Sequence, residues 1–210
     1  MTNLSKPIRI FVVIGLFCVL FIPIDVLWGK LRPGYSRVIT PVAEFTANLI
    51  EFSDISYVMK TVDDNFSVDA QLTIGRQFYN KEGRRPADLV TYNLVLWAAL
   101  FLSTFFFIDS RARLKFLIIA PIVLILWHLC DLTIFAKNAH WMLKQNLNQN
   151  YRGMIEYSHS WQWFWWWAFE LNQKIIDPLL PILLWVIFCF RSFFSPSIRK
   201  KTENPAAAKG

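Results

Sequence analysis

The sequence predicts an all-α polytopic membrane protein with four transmembrane helices and a small α+β extracytoplasmic insert. Three observations predict it. The 210 residues are 55% hydrophobic and 18% charged, against about 25% charged in a typical soluble domain. The apolar residues gather in four blocks, each near the roughly 20 residues that a bilayer crossing needs. Basic residues concentrate in three segments that four crossings place on one side of the membrane.

The first block is Ile8 to Trp28, preceded by Lys6 and Arg9. It is longer than the roughly 7–15 apolar residues of a signal peptide, and no small-x-small cleavage site follows it. Pro23, Asp25, Trp28 and Lys30 stand there instead, so residues 1–28 read as a cytoplasmic tail and a retained first helix.

Residues 29–88 form an insert too long for a plain connector. It carries eight basic and eight acidic residues, the balance of a water-exposed segment. Ser36 to Phe52 reads as an amphipathic helix whose apolar face carries Val38, Ile39, Val42, Phe45, Leu49 and Ile50. Phe66 to Ile74 alternates apolar with polar residues, the period of a strand. Ile55 to Val62 is its expected partner, and Asp63, Asp64 and Asn65 between them are turn chemistry. Such a hairpin is marginal alone, so it is expected to pack on the amphipathic helix or the membrane surface. Arg76 to Asp88 reads as a polar, flexible segment containing Gly83 and Pro86.

Residues 89–136 hold the second block, Leu89 to Ile108, and the third, Leu114 to Ala136, joined by a short basic turn. Residues 137–174 form a second exported loop, in which Asn138 to Gln149 reads as a helix carrying Trp141, Met142 and Leu147. The loop ends in a Trp-rich segment. The fourth block is 175–194, and 195–210 is a short basic tail.

Charge sets the expected orientation. The N-terminal tail, the 109–115 turn and the C-terminal tail carry ten basic residues against Asp109 and Glu203, a net of +8, while the remainder nets −1. Both termini are therefore expected in the cytoplasm, with the two long loops outside. A basic inner face beside anionic lipid accounts for the positive charge, and no nucleic-acid partner is expected. Cys18, Cys130 and Cys189 all fall within proposed spans, so no disulfide framework is indicated. Phosphate loops, Cys-x-x-Cys and His-Glu-x-x-His are absent. No cofactor, metal site or catalytic set is expected.

Two groups of residues stand out. Asp25, His128, Asp131, Glu170 and Asp177 all lie near the outer ends of spans, with His128 and Asp131 on one helical face. They read either as a polar outer-leaflet cluster or as end caps in hydrated headgroups. Trp161, Trp163, Trp165, Trp166 and Trp167 read either as an interfacial belt or as a contact surface for lipid or a protein partner. Cys130 is the one candidate nucleophile, but His128 two residues earlier points away from it on a helix, as a packed cysteine would have it.

The runs Val26–Trp28, Tyr35 and Val42–Ile50, followed by Tyr92–Ser103 and the basic turn Arg111–Arg113, resemble the small integral membrane proteins associated with exosortases. Those enzymes process C-terminal sorting signals in the bacterial envelope. The resemblance covers about the first 135 residues. It implies a bacterial inner-membrane setting and a non-catalytic accessory role in protein sorting or export, with membrane lipid and an envelope protein as partners and homo- or hetero-oligomers in scope. The exosortases' own Cys, Arg and His set finds no matching placement in this chain. Two alternatives remain open from the residues themselves. One is a membrane enzyme using Cys130 or the Asp25, His128 and Asp131 group, and the other is a small proton-coupled transporter subunit.

Overall fold

The structure is a computed structural model, and it describes residues 6–51, 55–74, 76–150 and 158–194. The elements run α1 (Lys6–Ile50), β1 (Ile55–Val62), β2 (Asn65–Ile74), β3 (Gln77–Pro86), α2 (Ala87–Thr104), α3 (Ser110–Asn150), α4 (His159–Leu171), a π-helical turn (Asn172–Ile176) and α5 (Asp177–Phe194). Four helical stretches are long and apolar enough to cross a membrane: Pro7–Ile50, Ala87–Thr104, Ser110–Gln149 and His159–Arg191. The basic tail at 195–210 and the stretch 151–157 of the second loop lie outside the described residues.

α2, with 18 residues, is about 27 Å long, close to the roughly 30 Å of hydrocarbon in a bilayer. α1 and α3 are much longer, with 45 and 41 residues, or about 68 and 61 Å. Both therefore continue far past the hydrocarbon on the side that carries the sheet.

The continuity of α1 corrects the expectation of two separate helices. Gly29, Pro33 and Gly34 look like a break in sequence, yet the helix runs through Pro23, Pro33 and Pro41. Tertiary contacts hold the stretch in place. The Trp28 indole donates to Thr91 Oγ1 at 2.9 Å, Arg32 pairs with the Asp64 carboxylate, and Tyr35 bonds His128. The helix expected at Asn138–Gln149 is likewise the end of α3, and the Trp-rich segment continues through the π turn into the fourth span.

The sheet is antiparallel in the order β1-β2-β3. β1 and β2 join through Asp63 and Asp64, both at positive φ (47° and 60°). This is the two-residue turn whose twist suits a hairpin, and short Asp side chains tolerate it. β3 corrects the reading of Arg76–Asp88 as a flexible segment. Its inner positions carry Tyr79, Lys81, Gly83 and Arg85, facing Leu72, Ala70, Val68 and Phe66 of β2. One small residue and two cations there erase the apolar alternation that marks a strand. A Cβ on Gly83 would meet the Phe135 ring at 3.2 Å, so glycine lets α3 approach the sheet.

The amphipathic helix turns a different face to the sheet from the one its large apolar residues suggest. Ser36, Ile39, Thr40, Ala43 and Ala47 are buried, whereas Val38, Val42, Phe45 and Leu49 are exposed. Small residues bring the helix backbone close to β1. The outer edge of β1 is then closed by α1 side chains: Asn48 bonds both N–H and C=O of Tyr57, and Glu44 accepts from Met59 N–H at 2.8 Å. An edge strand is thereby kept from pairing elsewhere.

Two apolar cores result. The outer one joins the sheet to the far halves of α1 and α3, around Tyr57, Phe66, Val68, Leu132, Phe135 and Leu143. The membrane one lies among α2, the first half of α3 and α5, around Phe101, Phe116, Leu124, Cys189 and Phe193.

Candidate functional site

Where the two cores meet, a set of charged side chains is sealed from solvent. Arg85 comes from the end of β3, Asp131 from the middle of α3, and Asp177 opens α5. Their side chains are 2%, 0% and 6% exposed. One guanidinium nitrogen of Arg85 bonds Asp131 Oδ2, and the other lies 3.2 Å from Asp177 Oδ2. Asn172 in the π turn donates to Asp131 Oδ1, and the Trp127 indole donates to Asp177 Oδ1 at 2.8 Å. The Phe169 ring lies 5.2 Å from the guanidinium carbon, within cation–π range. When ionised the set holds two negative charges and one positive, so a full negative charge is sequestered. Burying such groups is tolerated only with this density of partners.

His128 lies one turn below Asp131 but belongs to a different chain of bonds. Its Nε2 bonds Asn93 Oδ1 at 2.6 Å, and its Nδ1 bonds the Tyr35 hydroxyl. An amide oxygen can only accept, so Nε2 donates to Asn93. The bonds tie α1, α2 and α3 together at the membrane boundary.

A third group lies farther out. Glu51, at the end of α1, takes Lys137 Nζ at 2.5 Å, His140 Nδ1 at 3.2 Å and the Tyr57 hydroxyl on one carboxylate oxygen. Burial, reinforced by the bond to Glu51, pushes the Tyr57 phenol well above its ordinary range.

The structure thus unites Asp131 and Asp177, and it places His128 beside them with separate partners. It does not bring in Asp25, which is exposed on α1, or Glu170, which pairs with Lys174 at 2.5 Å on its own helix. The residue missed from the sequence is Arg85, the hub of the set. Two charges repeated at Arg84 and Arg85 just before an apolar helix are the one available signal. Cys130 is exposed on α3, away from the buried face that carries His128.

A small cleft of about 100 Å³ beside Asp177 is lined by Leu89, Tyr92, Asn93, Gln173, Asp177 and Pro178. That is room for about three water molecules. The large surfaces are elsewhere. None of the 13 residues of α4 is buried; Trp161, Trp163, Trp166 and Trp167 are all about half-exposed, and Trp165 is partly covered. The helix lies along the outer half of α3, with Phe169 stacked on Phe135 and Gln162 bonded to Gln145. No family model, curated protein or solved structure matches the chain.

Proposed function

We propose that the chain is a non-catalytic accessory protein of a bacterial envelope sorting or export system, held in the inner membrane with both termini in the cytoplasm, and that it acts by binding an envelope protein. The aromatic face of α4 carries this reading. This reading takes Asp177 as the bilayer edge, which puts Trp161 about 24 Å beyond it along the helix. The headgroup layer is only about 5–8 Å deep on each side, so lipid accounts for the lowest turn and leaves Trp161, Trp163 and Phe164 in water. Exposed tryptophans clustered on a rigid element are the usual anchors of a protein interface.

A photo-reactive residue at Trp163, with a second at exposed Phe78 on the sheet, tests this in native membranes. Capture of the same envelope protein from both positions is the expected result. Capture of lipid alone at Trp163 would remove the reading.

One observation favours the proton-coupled alternative. A dry set of two carboxylates and one guanidinium is the kind of group that takes up a proton. Loss of pH-driven flux in Asp131→Asn, with the fold intact, would establish it.

A further inference from the structure

The cleft beside Asp177 opens where α2 and α5 begin. Its floor is polar and its rim is apolar. Asn93 and Asp177 are 1% and 5% exposed, whereas Leu89 and Tyr92 are 48% and 40% exposed. A small polar group can therefore enter past two apolar side chains and meet a buried carboxylate.

The charge around the cleft favours a cation. Asp177 belongs to a set with two carboxylates for one guanidinium. Nearby, Glu170 and Lys174 cancel each other, and exposed Asp88 adds a further negative charge beside Leu89. Each oxygen of Asp177 accepts one hydrogen bond, from Trp127 and from Arg85. A carboxylate has about four acceptor positions, so capacity remains for a donor from the cleft. The ring of Tyr92 on the lining is also a group that attracts ammonium. Asp177 is the one carboxylate on that lining, and among the described residues no group of three metal-ligating side chains occurs. An organic ammonium suits the site better than a divalent metal.

Asn93 supplies a second, independent pointer. Its Oδ1 is taken by His128 Nε2, while its buried Nδ2 has no partner among the described residues. Such an orphaned donor is costly, and a ligand oxygen would relieve it. The small volume of the cleft admits only a short chain between that oxygen and the ammonium.

We infer that the cleft binds a primary ammonium with an oxygen close to it, as in the 2-hydroxyethylammonium group. The ammonium donates to Asp177 beside Tyr92, and the oxygen accepts from the Asn93 amide. A quaternary ammonium lacks the N–H donors and is bulkier. This chemistry occurs in a free amine and at the end of an aminolipid headgroup, and the inference stands independently of the accessory role.

The test uses the full chain in detergent, titrated with ethanolammonium chloride against sodium chloride at equal ionic strength. The unfolding midpoint should rise saturably with ethanolammonium. Ethylammonium, which lacks the oxygen, should need about fivefold more for half-saturation, and tetramethylammonium should give no saturable rise. Asp177→Asn, which keeps the size of the side chain, should abolish the response. Leu89→Trp at the exposed rim should leave the midpoint in sodium chloride near the parent value and weaken the response at least tenfold. The source of the ammonium is read in bilayer nanodiscs by native mass spectrometry. Retention of phosphatidylethanolamine over phosphatidylcholine by the parent, lost in Leu89→Trp, assigns the lipid headgroup; a free-amine response without such retention assigns a soluble amine. The site is refuted if tetramethylammonium or sodium matches ethanolammonium, or if the response survives in both variants.

Discussion

The outer core and the membrane core are built from similar side chains under different rules. Around the sheet, apolar residues turn inward and the exterior is polar. Val68, Ala70, Ala43 and Ala47 are fully buried, while Lys60, Glu82 and Arg84 face water. Within the bilayer the four long helices carry apolar residues on every side, and a window of α1 rich enough to cross the membrane has none of its residues buried. Outside, the hydrophobic effect decides which face is inside. In lipid that force is absent between helices, and close packing and a few hydrogen bonds must do the sorting. Here those are the stacked Trp97 and Phe101 rings, Trp97 Nε1 donating to Phe116 O at 3.1 Å, and Trp185 Nε1 donating to Thr104 Oγ1 at 3.3 Å.

The largest effect is expected at the junction of the two cores. Arg85→Ala leaves Asp131 and Asp177 without their cation and should destabilise the fold by about 3–5 kcal/mol. Thermal unfolding in detergent would show a large downward shift, and Arg85→Lys should recover only part because a point charge cannot bridge both carboxylates. An unchanged midpoint would mean that the two cores do not depend on this joint.

The next pair of variants compares the cores directly. Phe66→Ala in the outer core removes burial from water and leaves a cavity, a loss of about 3–5 kcal/mol. Phe116→Ala, also buried, is measured against a lipid-facing reference, so mainly the packing loss remains and the effect should be smaller. Equal losses in the same unfolding assay would mean that α2, α3 and α5 are packed by the same force as the sheet.

A smaller effect is expected at Gly83→Ala, about 1–2 kcal/mol, because the new methyl presses on Phe135. Adding Phe135→Leu should relieve part of that loss, and additive losses would show that the contact is not the cause.

The smallest is Tyr57→Phe, which removes one buried hydroxyl from Glu51 and His140 and should cost about 1–2 kcal/mol near neutral pH. It also makes a pH prediction. The folded phenol is held above its unfolded value of about 10, so its stabilisation is complete below pH 10 and declines as pH rises past it. The alkaline loss of stability should therefore be shallower in Tyr57→Phe than in the parent chain.

Legibility divides along the same line. The four apolar blocks and the β1–β2 hairpin were readable because each repeats one physical signal, unbroken hydropathy or strict alternation. β3 was not, because its inward residues are Lys81, Gly83 and Arg85, chosen by α3 and by two carboxylates far away in sequence. The packing face of α1 was misread for a related reason. Its largest apolar residues point outward, and what the sheet requires is small size at Ala43 and Ala47. The charge set was half legible: Asp131 and Asp177 stand out as acids in apolar runs, but Arg85 is ordinary in a polar segment and gains its meaning only when β3 ends above α3.

α1 passes from one face of the bilayer to the tip of the sheet without a joint. With Trp28 anchored to α2 and Asn48 to β1, it works as a fixed stalk about 30 Å long between the two anchors. A molecule tethered close to the membrane cannot reach the Asn48 end by lateral diffusion alone; it needs a stalk of matching length or must arrive from the aqueous side.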